Sequence, residues 1–182
     1  MPLRLFVAVD LPEPVKDQIE TLRATIPGAT WVKRQAYHLT LRFLGDNIAD
    51  ARLDEIRAAL GRVEAPPFEL ALHGVGRFPA PGRRPARVIW VGVQAPPALQ
   101  TLYRGVSAAL NPIGFPADGQ PFSAHVTLAR LRQPADPEVE RFLARHADVT
   151  SAPFPISEFT LYSSRLTPQG SVYTAQAAFP LG

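Results

Sequence analysis

Arg87-Val88-Ile89-Trp90-Val91-Gly92-Val93 repeats the apolar alternation of Arg4-Leu5-Phe6-Val7-Ala8-Val9 about 84 positions earlier. A second pair stands behind the first. His38-Leu39-Thr40-Leu41 returns as His125-Val126-Thr127-Leu128, 87 positions on. The chain has 182 residues, so both offsets are close to half its length. Only four histidines are present, and half of them occupy these matching contexts.

Around the two pairs, one order of elements is predicted twice. Leu3–Val9 alternates as a first strand. Pro12 and Pro14 suit the first turn of a helix, and Val15, Ile19, Leu22 and Ile26 continue at helical spacing to Pro27-Gly28. A strand over His38–Leu44 ends at Gly45-Asp46, and Leu53, Ile56 and Leu60 mark a helix stopped by Gly61. In the second half, Pro96-Pro97 precede a stripe of Leu99, Leu102, Tyr103, Val106 and Leu110. A strand over Ser123–Leu131 and a helix carrying Val139, Phe142 and Leu143 follow. Further strands are predicted at Phe68–Val75, Ile156–Ser163 and Val172–Phe179, with Leu166–Gly170 as the hairpin turn between the last two.

Two copies of strand–helix–strand–helix are too few for a solenoid. The expected fold is α+β, with two pseudo-symmetric lobes. Each lobe is an antiparallel sheet with its helices packed outside, and the cleft lies between lobes. Residues 1–182 then form a single bilobal domain with approximate repeats 3–62 and 87–146.

Composition narrows the chemistry. The chain has no cysteine, which excludes disulfides, thiolate zinc sites and cysteine nucleophiles. It contains no apolar run of about 20 residues, so no membrane span is expected. The short apolar start closes at Asp10 and Pro12 and reads as a strand rather than a secretory leader; a cytoplasmic location is expected. Net charge is +3 with a pI near 9.7, and all basic residues but Lys16 and Lys33 are arginine. Such basicity is compatible with a phosphate-bearing partner without requiring one.

On a strand, residues i and i+2 share a face. His38 and Thr40 therefore point one way while Leu39 and Leu41 point into the core, and His125 and Thr127 are set against Val126 and Leu128 likewise. Opposed across a cleft, the two faces offer a phosphate two hydroxyl donors and two imidazoles. One imidazole can protonate a leaving oxygen while the other takes a proton from an attacking water. The threonines can donate to non-bridging oxygens as phosphorus becomes five-coordinate. Two histidines fall short of the three or four protein ligands of a usual zinc site, so neither metal nor cofactor is expected.

These motifs resemble those of the 2H phosphoesterase superfamily, and in particular its RNA 2′,3′-cyclic phosphodiesterase (2′-5′ RNA ligase-like) branch. The likeness extends through Arg4–Pro12, His38–Asp46, Gly74–Pro79, Arg87–Val93, His125–Arg130 and Leu161–Ser164, with Gly170 and Tyr173. Ala124 departs from it, standing where many members carry proline. The resemblance implies a two-lobed α+β fold and metal-free opening of a 2′,3′-cyclic phosphate to a 2′-phosphomonoester. It also implies His38 as proton donor to the departing 3′ oxygen, His125 as proton acceptor, and Thr40 and Thr127 as phosphate ligands. The implied partners are RNA with 2′,3′-cyclic phosphate ends or cyclic nucleotides, handled by a monomer. Alternatives are 2′-5′ RNA ligation at the same site and a non-catalytic RNA- or nucleotide-binding module.

Arg130 follows the second motif and is a candidate substrate contact, although strict alternation puts it opposite His125 unless a bulge reorients it. Tyr37 and Phe43 are candidate base-stacking residues, with core packing the stronger expectation for Phe43. The Arg77–Arg87 segment is a candidate basic loop along an RNA backbone. His73 and His146 are expected to be a plain strand histidine and one near a helix C-terminus.

Overall fold

The structure, a computed structural model, describes residues 2–117 and 119–182. Its strands are β1 (Leu3–Asp10), β2 (Ala29–Trp31), β3 (His38–Ile48), β4 (Phe68–Phe78), β5 (Val88–Gln94), β6 (His125–Leu131), β7 (Phe154–Ile156), β8 (Glu158–Thr167) and β9 (Gly170–Pro180). The helices are α1 (Glu13–Glu20), α2 (Leu53–Leu60), α3 (Pro97–Leu110) and α4 (Asp136–Arg145). The fold is α+β, and the strands named here pair antiparallel.

One path runs through the sheet in the order β7-β4-β5-β6-β3-β1-β8-β9, with β2 also paired to β6. It consists of two four-stranded halves, β3-β1-β8-β9 and β7-β4-β5-β6. A single register pair joins them, Leu39 opposite Val126. Both residues are fully buried. Slipping either strand by one residue would turn its apolar set to solvent, and each such side chain is worth roughly 1.5–3 kcal/mol of burial. The seam between halves is thus pinned by the residue that separates His from Thr in each motif.

The helical stripes are buried where the spacing placed them: Val15 and Ile19 on α1, Ile56 and Leu60 on α2, Leu99, Leu102, Val106 and Leu110 on α3, and Val139 and Phe142 on α4. Boundaries differ in three places. First, α1 stops at Glu20 instead of reaching Ile26. The amides of Thr21 and Leu22 bond three residues back, and the Thr21 hydroxyl donates to the Gln18 carbonyl. Leu22 and Ile26 are nonetheless buried, so the stripe marked burial beyond the helix. Second, β3 runs through Gly45-Asp46 to Ile48. Gly45 (φ 135°) and Asn47 (φ 58°) absorb register shifts against β1 there rather than ending the strand. Third, the expected strand 156–163 breaks at Ser157 into β7 and β8, and the short β2 beside β6 had no alternation to reveal it. The final hairpin closes at Thr167 opposite Gly170, as expected.

Candidate functional site

Continued from the Leu39–Val126 pair, the antiparallel register sets His38 across from Thr127 and Thr40 across from His125. Each histidine therefore faces the other motif's threonine over the seam. Two neighbouring cavities lie there, a cleft of about 830 Å³ and a side cavity of about 270 Å³. Thr40, Thr127 and Arg130 line both, His125 opens into the cleft, and His38 opens into the side cavity. All five residues singled out from the sequence are brought together.

Arg130 reaches the site through a bulge. Trp90 pairs with Thr127 and Ile89 with Ala129, so Leu128 is passed over in the β5–β6 ladder. Alternation inverts after Leu128, and Arg130 emerges on the face of His125 and Thr127. The first motif does the same. Ala8 pairs with Thr40 and Val7 with Arg42, so Leu41 is passed over against β1. This buries Arg42, which donates to the Ser107 hydroxyl and the Phe115 carbonyl, and turns Phe43 outward.

The aromatic expectations are accordingly reversed. Phe43 is 47% exposed and lines the cleft, with the Arg4 guanidinium 4.6 Å from its ring centre. Arg4 is held from behind by Asp46 at 2.6 Å. Tyr37 is 1% exposed and belongs to the core; its backbone is already extended, which turns it to the side opposite its neighbour His38. The basic-loop expectation is also corrected at its first residue. Arg77 is buried against Asp136 and Glu140 and donates to the carbonyls of Pro79 and Arg84, bracing the loop from within. Arg83 and Arg84 remain exposed. His73 lies in β4 opposite Thr150, and His146 directly follows α4.

The two imidazoles are held differently. His125 Nδ1 donates to the Ser123 carbonyl at 2.8 Å, a bond that fixes the neutral tautomer with its Nε2 lone pair free. Phe78 meets the ring edge-on at 5.0 Å, and Trp90 stands 6.2 Å away. Burial lowers the pKa of His125 and nearby Arg130 adds to this, against the opposing pull of the Ser123 carbonyl. His38 is more deeply enclosed, with Tyr162, Tyr173 and Phe6 at 4.6, 5.4 and 6.3 Å between ring centres. Its Nδ1 has no partner in good hydrogen-bond geometry among the described residues. Its Nε2 lies 3.6 Å from Asp10 Oδ1, and Lys16 Nζ lies 3.2 Å from that same oxygen. Burial pulls the His38 pKa down to about 4, with Lys16 adding to this, against the opposing pull of Asp10 and of the Ala36 carbonyl. The phenol of Tyr162 is pushed up to about 12 by burial and by Asp10.

Asp10, Lys16 and the Tyr162–Tyr173 enclosure were not foreseen as parts of the site. Asp10 is register-paired with His38 in the β1–β3 ladder, a relation that becomes visible only once the two strands are aligned. Among the described residues, no group of three or more His, Cys, Asp or Glu side chains is placed to hold a metal ion. None of the helices is long and apolar enough to cross a membrane.

Comparison with known proteins agrees with this architecture. An Archaeoglobus fulgidus protein named RNA 2′,3′-cyclic phosphodiesterase is 33% identical over 174 residues, covering 94% of this chain and 96% of its own. A Methanothermobacter thermautotrophicus protein of the same name is 31% identical over the full length of both chains. The crystal structure of E. coli LigT complexed with 3′-AMP superposes with a TM-score of 0.80 at 28% identity, covering 100% of this chain and 99% of that one. Residues 11–167 match the 2′-5′ RNA ligase superfamily, and with both motifs inside that span, the chain belongs to this superfamily.

Proposed function

We propose that this chain hydrolyses the 2′,3′-cyclic phosphodiester of RNA ends or nucleotides to a 2′-phosphomonoester, without a metal. The observation that carries the reading is the seam: two His-Thr pairs and Arg130 converge from two halves of the sheet on two cavities that share Thr40, Thr127 and Arg130 in their walls. The names borne by the full-length relatives support the substrate class.

In the proposed step, a water oxygen attacks phosphorus from the cleft side while the P–O3′ bond breaks on the opposite side. His125 takes the water's proton on Nε2, the nitrogen left free by its bond to the Ser123 carbonyl. His38 gives a proton to O3′. The hydroxyls of Thr40 and Thr127 donate to the non-bridging oxygens, and the Arg130 guanidinium balances their growing charge. The exposed ring of Phe43 offers a stacking face for a base at the cleft wall. Burial disfavours the imidazolium at both histidines in the free protein. The anionic substrate supplies the opposite charge that lets His38 hold its proton.

The strand order also supports reading residues 1–182 as a single bilobal domain built on repeats 3–62 and 87–146. In each half, the motif strand lies next to the strand that opens its repeat: β3 beside β1, and β6 beside β5.

The test is product identification. An oligonucleotide ending in a 2′,3′-cyclic phosphate, incubated in chelator, is expected to give only the 2′-phosphate. His38→Ala and His125→Ala should each abolish turnover. Dependence on a divalent cation, a 3′-phosphate product, or undiminished turnover in His125→Ala defeats the proposal. Adding RNA with a 5′-hydroxyl end separates hydrolysis from ligation, since that hydroxyl would replace water and leave a 2′-5′ linkage.

A further inference from the structure

Asp10 closes β1 directly opposite His38, which opens β3. Its Oδ1 lies 3.6 Å from His38 Nε2 and 3.2 Å from Lys16 Nζ. Lys16 is buried on α1 and is also 3.9 Å from Glu13 Oε1. The Asp10 side chain itself is about half exposed, at 51%. A buried imidazole thus meets solvent through a carboxylate that is tethered from its other side by a buried ammonium. Among the described residues no carboxylate stands beside His125 in this way: its ring is bonded to the Ser123 carbonyl, two residues back as the Ala36 carbonyl is from His38, and is flanked by Phe78 and Trp90.

We propose that Asp10 is a positioning residue for His38, its carboxylate standing beside the Nε2 edge of the imidazole and supplying the negative charge that favours the protonated ring, while Lys16 fixes and tempers that carboxylate. The inference rests on the reading of His38 as the proton donor. The two motifs have the same residues and the same bulge, so the difference between donor and acceptor has to come from what surrounds each ring. The Ser123 carbonyl engages Nδ1–H of His125 and leaves its Nε2 lone pair free, and the Ala36 carbonyl faces His38 from the equivalent position with poorer hydrogen-bond geometry, so the carbonyls alone do not set the two rings apart. An imidazole meant to donate needs a reason to be charged inside an apolar enclosure, and Asp10 is the anion beside it.

The other groups facing His38 do not take that role. Tyr162 from β8 is a neutral phenol, and Tyr173 from β9 and Phe6 from β1 contribute rings. Lys33 and Arg130 line the same side cavity and are cations. Glu13 lies behind Lys16 and is held by Arg34 as well.

The two substitutions act in opposite directions. Asp10→Asn removes the anion, so the His38 midpoint should fall by about one unit. Above both histidine midpoints the productive fraction follows protonated His38, and kcat/KM should then drop by up to about tenfold. Lys16→Met keeps the apolar stem and removes the cation, so the His38 midpoint should rise. The experiment follows the His38 ring by NMR from acid to alkaline pH in wild type, Asp10→Asn and Lys16→Met, alongside kcat and KM for a nucleoside 2′,3′-cyclic phosphate. Opposite shifts of the His38 midpoint, with the Asp10→Asn loss expressed in kcat more than in KM, support the proposal. An unmoved midpoint in both variants, or shifts of the same sign, overturns it whatever the rates do. Opposite midpoint shifts with an unchanged rate in Asp10→Asn also overturn it. A wild-type protein that turns over no cyclic phosphate refutes the proposed function itself, and the midpoints still report on Asp10.

Discussion

The acid and base work proposed for two buried imidazoles makes a definite demand on the pH profiles. On the proposed reading, turnover needs His38 protonated and His125 neutral. In the free protein burial holds both below the ordinary histidine value, His38 at about 4. Above both midpoints the productive fraction is the fraction of His38 still charged, so kcat/KM should fall about tenfold per pH unit, starting below about pH 6.5. A cyclic phosphodiester carries one negative charge throughout this range. Seated among Thr40, Thr127 and Arg130, it brings that charge next to His38, and an opposite charge within about 4–6 Å raises an imidazole by about 1–3 units. Starting from about 4 in the free protein, His38 in the complex should titrate between about 5 and 7. The alkaline fall of kcat should therefore begin about 1–3 units above that of kcat/KM, a difference of about 1.4–4 kcal/mol in favour of the charged ring. Initial rates from about pH 4 to about pH 9 with a nucleoside 2′,3′-cyclic phosphate in chelator measure both curves. Coincident curves, or a kcat/KM flat to about pH 8, would refute the pairing of a desolvated donor with an anionic substrate.

The same burial predicts a stability effect. The His38 midpoint is lower in the folded than in the unfolded chain, so the unfolded chain binds the extra proton first as pH falls. Stability attached to His38 is complete above about pH 6.5 and is lost progressively down to its folded midpoint of about 4. That loss is on the order of 3 kcal/mol, and His38→Gln should flatten the thermal melting curve over that window. Phe43→Ala should raise KM by about tenfold through lost stacking while leaving the melting temperature nearly unchanged. Tyr37→Ala, by contrast, should cost about 3–5 kcal/mol of stability, which chemical denaturation would show; equal destabilisation by both would contradict their placement. Arg130→Met should lower kcat by about 10²-fold with the fold intact by circular dichroism. Gly76→Ala would drive a methyl into the Trp90 indole, which stands beside His125. It should cost about 1–3 kcal/mol and also slow turnover, and a variant losing neither would show that Trp90 is free to move.

Much of this architecture is legible in period-two patterning. Leu39 and Val126 read as core residues between the polar His and Thr, and they are the pair that joins the two halves. The helical stripes read correctly because an apolar face buried against a sheet constrains residue type over many positions. What escaped was set by contacts between distant segments. Asp10 carries no local sign that its carboxylate will meet His38, because the partner lies on another strand. Arg77 read as a surface cation because its acidic partners, Asp136 and Glu140, come from α4, about 60 residues away.

Phe43 shows the sharper lesson. Counting by twos from His38 puts Arg42 in the cleft and Phe43 in the core, and both placements are inverted by the bulge at Leu41. Counting by twos from His125 would likewise bury Arg130, and the bulge at Leu128 inverts that as well. The repeated leucine of His-x-Thr-Leu is therefore the residue at which each strand changes faces. In both copies the residue five places after the histidine returns to the cleft. The two motifs set His and Thr alike and diverge at that position, into an aromatic ring on one side and a guanidinium on the other. A symmetric frame cannot by itself orient a nucleotide, which has a base at one end and a phosphate at the other. On the proposed reading, the unlike residues behind two like bulges supply that orientation, with Phe43 offering a face to the base and Arg130 a charge to the phosphate. On the same reading, the neighbours of the two histidines separate donor from acceptor, since a backbone carbonyl faces each ring and the Asp10 carboxylate stands beside His38.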